Sequence, residues 1–191
     1  MQRLWTLAAI ALLPILCGCV SSRVTQPAPP TTNFKDFKSI SYSVHATDVT
    51  EYGSDVRYGR DCVSLFGTLL GMKLKDMGYA VAPAGERADI SIDVAVTEAS
   101  KGNSAARLLV GFGAGRAALL FNATFNDAHG RRIAALSGGR SYTGMELNQS
   151  PFPSKMALQT RAATRSVQQL EEFIENDGKA PAPDQSNRSP M

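Results

Sequence analysis

Asp89-Ile90-Ser91-Ile92-Asp93-Val94-Ala95-Val96-Thr97 decides the fold class of this chain. Ile90, Ile92, Val94 and Val96 fall on one side of an extended backbone, while Asp89, Ser91, Asp93 and Thr97 fall on the other. This period of two is that of a strand with one face against a core and the other in water. Such a strand belongs to a sheet covered on one face, so neighbouring segments must supply the covering layer.

Reading outward, Ile40, Tyr42 and Val44 alternate in the same way and predict an earlier strand. A helix fits Asp55 to Met77, where Cys62, Phe66, Leu69, Leu70, Lys73, Leu74 and Met77 recur near i, i+3 and i+4. Gly78 is its expected stop, because glycine accepts positive φ without a Cβ clash. Tyr79 and Val81 then make a short strand that Pro83 ends. Downstream, Leu119, Phe121, Ala123 and Phe125 alternate, Asn126-Asp127-Ala128-His129-Gly130 supplies turn chemistry, and Ile133 to Leu136 returns. Pro153-Ser154 opens a last helix with Ser154 as the expected N-cap. Met156, Ala163, Val167, Leu170 and Ile174 mark its inner face, Arg165, Glu171 and Glu172 lie outside it, and Gly178 ends it. The order is β-α-β-β-β-β-α. It predicts a single α+β domain in which a mixed or antiparallel sheet carries two helices packed on one face.

The N-terminus has a different chemistry. Arg3 precedes an apolar run from Leu4 to Leu16, and Leu16-Cys17-Gly18-Cys19 follows. The run is shorter than the roughly 20 apolar residues that span a bilayer. It reads as a cleaved signal, with the small Gly18 before the cut. These residues resemble the lipobox of bacterial lipoproteins, which implies a diacylglycerol thioether on Cys19 and an acylated N-terminus. Such acyl chains anchor a domain firmly, each buried CH₂ contributing about 0.8 kcal/mol. Val20 rather than Asp follows the cysteine. By the same resemblance this favours the outer membrane, with the protein facing the periplasm. The expected organisation is a signal peptide over 1–18, a lipidated Pro-rich tether over 19–32, the domain over 33–177 and a polar, Pro-rich tail over 178–191. A tether in the extended polyproline conformation, at about 3.1 Å per residue, would hold the domain about 40 Å from the membrane.

The formal net charge is +3 and includes Arg3, which leaves with the signal. Near neutrality offers no electrostatic case for nucleic acid. Cys17 leaves as well and Cys19 is taken by lipid, so Cys62 stands alone, without an intrachain disulfide, as a buried small hydrophobe.

Leu108-Leu109-Val110-Gly111-Phe112-Gly113-Ala114-Gly115-Arg116-Ala117 is the most distinctive internal stretch. Its G-x-G-x-G spacing departs from G-x-G-x-x-G, and a strand rather than a helix follows, which argues against a dinucleotide loop. Three readings stand. The glycines let two elements pack closely, with Arg116 as a local donor. Alternatively, Leu108 to Phe121 is a hairpin contributed to a multi-subunit barrel in a membrane. As a third reading, Leu108, Leu109, Val110 and Phe112 form an apolar docking patch for a partner.

The lipobox, Met77-Gly78-Tyr79, Ala88-Asp89-Ile90 and Gly111 to Ala117 ahead of the Asp127–Gly130 turn together resemble a group of uncharacterised bacterial lipoproteins. That group shares a Gly-x-Gly-Ala-Gly-x-Ala segment and is a domain of unknown function, so the resemblance implies no activity. More loosely, the layout is similar to periplasmic lipoproteins that help assemble envelope machines, among them curli-secretion pore subunits and activators of peptidoglycan synthases. That is analogy of fold alone.

Catalytic signals are weak. The two histidines, His45 and His129, have no Cys or carboxylate at metal-ligand spacing, so no metal and no cofactor is expected. No G-x-S-x-G elbow occurs. Asp89 and Asp93 share a polar strand face and read as solvated. The expectation is a non-enzymatic, membrane-anchored adaptor or assembly factor that binds another envelope protein. The alternative is a homo-oligomeric pore or secretion subunit using 108–121. An enzyme or ligand binder ranks behind both, and its best support would be a deep pocket lined by His45, Asp89 or Arg116.

Overall fold

A computed structural model describes residues 25–28, 33–47, 56–102, 117–142 and 155–179. Cys19, the Leu108–Arg116 stretch and the cap residue Ser154 lie outside the described residues. In chain order the elements are β1 (Thr25–Ala28), a 3-10 turn (Phe34–Asp36), β2 (Ser39–Ala46), α1 (Val56–Asp76), β3 (Ala80–Ala82), β4 (Ile90–Ser100), β5 (Ala117–Asp127), β6 (Arg132–Tyr142) and α2 (Lys155–Glu175). From β2 onward this is the expected β-α-β-β-β-β-α order. The addition is β1, which lies in the segment read as the tether.

The sheet is mixed, in the order β1-β6-β5-β4-β2-β3. β2 runs parallel to both β3 and β4, and the remaining pairs are antiparallel. The long antiparallel strands are those with the clearest alternation. Ile90, Ile92, Val94 and Val96 are all at most 1 % exposed. Across the ladder Ile92 faces Phe125, Val94 faces Ala123 and Val96 faces Phe121. One more strand over, Phe125, Ala123 and Phe121 face Ala134, Leu136 and Gly138. This shared apolar row is where α1 and α2 pack, side by side on one face.

Aromatic rings join the layers. Phe34 meets Phe125 edge-on at 5.2 Å and Phe173 of α2 at 5.9 Å, and Phe125 lies 5.2 Å from Phe173. Phe66 of α1 meets Phe121 edge-on at 5.3 Å. Burying each such side chain contributes about 1.5–3 kcal/mol, and edge-to-face geometry adds about 0.5–1.5 kcal/mol per pair.

Helix ends follow backbone chemistry. At the end of α1 the amide of Tyr79 donates to the Leu74 carbonyl and that of Gly78 to Lys75. Gly78 has φ +90°, so the two bonds make a Schellman cap on the expected glycine. At the end of α2 the expectation shifts by one residue. Asp177, at φ +53°, takes the left-handed position, and Gly178 follows it, donating to Phe173. The inner face of α2 also needs correction. Ala163, Val167, Leu170 and Ile174 are buried, but Met156 is 75 % exposed. Met156 is the second residue of the helix, so it lies at the fraying end rather than over the sheet. Leu158, Ala162 and Phe173 complete the stripe.

Two glycines of α1 face β2, and one of them sets how closely the helix approaches. A Cβ on Gly71 would run into the Tyr42 hydroxyl, whereas one on Gly67 would make ordinary contact with Val44 at 3.6 Å. Gly71→Ala is therefore expected to destabilise the domain by about 1–3 kcal/mol through overpacking. Gly67→Ala is expected to be neutral or to stabilise by about 0.5–1 kcal/mol, since alanine suits a helix interior better. Chemical denaturation of the two variants beside the parent checks the contrast.

Candidate functional site

The face of the sheet away from the helices carries small polar side chains. In register across β2, β4 and β5 stand Ser41, Ser91 and Asn126, then Ser43, Asp93 and Thr124, then His45, Ala95 and Asn122. This is the polar half of the same alternation that builds the core. Among the described residues no helix packs against it.

Asp93 is the hub of this face. Its Oδ1 accepts the Ser43 hydroxyl at 2.5 Å, and His45 Nδ1 lies 3.3 Å from the same oxygen. The side chains of His45 and Asp93 are each about half exposed. A nucleophilic serine needs its hydroxyl donated to a base that a third group orients. Here the hydroxyl and the imidazole both address the one carboxylate oxygen, in an open hydrogen-bonded cluster.

Asp89 has a different task. Its Oδ2 accepts the backbone amides of Lys38 and Ser39, each at 2.9 Å, and its own amide donates to Ser39 Oγ at 2.9 Å. These bonds lock the start of β2 to the start of β4. The two amides, and then the Ser39 hydroxyl, stabilise the ionised form and hold the carboxyl below the usual aspartate range. The solvated reading of Asp89 thus gives way to a structural clamp. His45 pairs with Ala95, six residues along β4 from Asp89, about 20 Å at the rise of a strand. The two do not meet in one pocket, and Arg116 lies outside the described residues.

Asp127 plays the equivalent part at the β5–β6 turn. Its Oδ1 accepts the amides of His129 and Arg131, and its Oδ2 accepts Arg131 Nε at 2.8 Å. The Arg131 amide above all holds this carboxyl below the ordinary range. His129 and Gly130 are exposed turn residues, Gly130 at φ +76°.

Elsewhere, Lys35, Phe37, Lys38, Met77, Gly78, Tyr79 and Ala80 line a shallow, open depression. Lys35 Nζ pairs with Asp177 at 3.4 Å, and burial, aided by Asp177, raises the Tyr79 phenol. Cys62 is buried and in no disulfide. Among the described residues no group of His, Cys, Asp and Glu is arranged to hold a metal ion, and no helix is long and apolar enough to cross a membrane.

The glycine stretch joins β4 to β5, which are antiparallel neighbours. The structure divides the proposed 108–121 hairpin. Ala117 to Phe121 belong to β5, with Leu119 and Phe121 at most 1 % exposed in the domain core. Those residues are committed to the sheet of the domain.

One feature of β6 escaped the sequence reading. Gln169 of α2 reaches the strand at Gly139, accepting its amide through Oε1 at 2.8 Å and placing Nε2 3.4 Å from its carbonyl. Gly139 has φ +131°, and a Cβ on Gly138 would strike Phe121 and Gln169. The paired glycines inside a strand are the signal for such close approach.

The sequence profile of DUF4410, a domain of unknown function, matches residues 33–182. No curated protein matches. Among solved structures, the chain is similar to a PelC dodecamer from Paraburkholderia phytofirmans, with 13 % identity and TM-score 0.46, covering 83 % of this chain and 99 % of that one. A DUF330 protein from Xanthomonas campestris gives 16 % identity and TM-score 0.44 over 83 % and 90 % of the two chains. A DUF4136 protein from Bacteroides thetaiotaomicron gives 11 % identity and TM-score 0.37 over 80 % and 97 %.

Asp89→Ala removes all of the carboxylate's bonds to the β2 backbone and is expected to destabilise the domain by about 1–2 kcal/mol at neutral pH. Because the folded carboxyl titrates below its unfolded value, its contribution is fully present above about pH 3.9 and is lost as pH falls through the folded value. Denaturation of parent and variant across pH should show the difference fading below about pH 3.9.

Proposed function

This chain belongs to the DUF4410 family, and on that premise we propose that it is a periplasmic lipoprotein, anchored in the outer membrane through Cys19, that acts as a non-enzymatic adaptor or assembly factor for an envelope complex. The observation that carries the reading is Leu16-Cys17-Gly18-Cys19 behind a short apolar run. Three features of the domain are in keeping with it. The polar sheet face presents hydrogen-bonding groups, with Ser43 and His45 both turned to Asp93. The carboxylates with lowered titration, Asp89 and Asp127, are bonded to backbone amides and serve the fold. The apolar Leu108–Phe112 run falls between β4 and β5 in the sequence, and an apolar stretch of this kind suits a docking role.

β1 also has a fixed direction in the sheet. β1 is antiparallel to β6, with Thr25 opposite Ser137 and Ala28 opposite Ala135. The N-terminal end of β1 therefore points along β6 toward Tyr142, which pairs with Ala117 at the start of β5. Ser100, near the end of β4, pairs with Ala118 at this same end of the sheet.

Expression of the full chain in a Gram-negative host with labelled palmitate tests the reading. The parent is expected to take up label and fractionate with outer membranes, and Cys19→Ser to lose both. Cross-linking before mild-detergent extraction should recover an envelope protein of different sequence, and replacing Leu108, Leu109 and Phe112 by Ser should reduce its recovery at least about tenfold. Equal membrane association of Cys19→Ser overturns the anchor. A particle containing this chain alone, in a closed ring, would replace the adaptor reading with the homo-oligomeric one.

A further inference from the structure

We propose that β1 is a strap whose docking on β6 holds the domain close to the membrane, and that the lipid surface is met by the β1–β6 side of the sheet. The inference rests on the Cys19 anchor proposed above. Its observation is separate: Thr25–Ala28, in the middle of the Pro-rich tether, is a strand of the sheet.

Chain length makes this consequential. From Cys19 to Thr25 there are six residue steps, which span at most about 22 Å. From Cys19 to Asn33, where the family domain begins, there are fourteen steps, with a limit of about 50 Å. Docking β1 thus removes more than half of the tether's reach, and ties the anchor to the backbone of β6 at Ser137 rather than to the start of the domain. With the strap docked, the edge of the sheet opposite β3 lies nearest the bilayer.

The strap suits an edge. Without it, β6 would show the outer row of its backbone amides and carbonyls, a template for another chain. With it, the outermost strand is four residues long and contains Pro27, which has no amide to offer a further strand. Its register shifts between Thr25 and Ala28, so the pairing is short and irregular beside the continuous β5–β6 ladder. A strand of this kind can be held or released without disturbing the core, because β1 lies outside the matched domain and beyond the aromatic contacts that join the layers.

The test uses the full-length lipidated protein on a supported outer-membrane-lipid bilayer, with neutron reflectometry reading the distance of the protein layer from the headgroups. Thr25→Cys with Ser137→Cys places two thiols at cross-strand partners, a separation that a disulfide accommodates. Cys62 is 1 % exposed and does not compete. This pair is expected to oxidise readily, and the locked protein to give the parent's layer profile. A second variant carries Gly-Ser-Gly-Ser in place of Thr25–Ala28, which keeps the tether length and removes the strand. Its layer is expected to move outward by about 7 Å if both segments behave as flexible chains, and by at most about 28 Å at full extension, with the helical circular dichroism signal unchanged. A protein that washes off the bilayer overturns the anchor and this proposal together. A tethered protein that forms no 25–137 disulfide, or whose Gly-Ser variant keeps the parent's profile, overturns the strap alone and leaves the anchor standing.

Discussion

The one-sided burial of β4 and β5 is the constraint on which this domain depends. Ile90, Ile92, Val94 and Val96 lie opposite Phe125, Ala123 and Phe121 and form a continuous apolar floor. Because side chains alternate across a sheet, the floor commits the intervening residues to the other face. A slip of β4 by one residue against β5 would bring Ser91 and Asp93 under the helices and turn Val94 outward. The cost of burying those polar groups without partners fixes the register. Everything else, from the seating of α1 and α2 to the polar surface around Asp93, follows from which side the floor faces.

The helices are seated by shape as well as by apolarity. Gly71 leaves room for the Tyr42 hydroxyl, and Gly138 with Gly139 leaves room for Gln169 and Phe121. At both points a helix meets a strand where the strand or the helix has no side chain of its own. Between the helices, Lys73 Nζ reaches Glu171 at 2.7 Å. This contact and the nearby carboxylate charge raise the lysine's titration. Lys73 sits at the margin of the α1 stripe, so its methylenes cover apolar surface while its ammonium meets a carboxylate on the neighbouring helix.

The polar face and the strand junctions divide the carboxylates by role. Asp89 and Asp127 are held by backbone amides where chain segments must be joined, one at the parallel β2–β4 pair and one at the β5–β6 turn. Asp93 addresses side chains instead, in the open. All three occupy loop-adjacent or solvent-facing positions with the same residue type, and their partners alone distinguish them. That is why a clamp such as Asp89 reads from sequence as one more solvated acid.

The sequence by itself determined the α+β class, the two helices and the strands from β2 onward. Periods of 2 and 3.6 are local properties of the backbone, and glycine or turn residues mark where they end. It also determined the Gly78 cap and the β5–β6 turn, whose bonds span only a few residues. The tertiary structure decided what depends on distant partners. The parallel placement of β2 beside β4, the clamp from Asp89 to residues fifty positions earlier, and the Gln169 bond to Gly139 join segments that no local pattern connects. β1 is the plainest case. Thr25-Gln26-Pro27-Ala28 has neither alternation nor strand-forming composition, and it is a strand because the edge of β6 offers unpaired backbone to an extended chain.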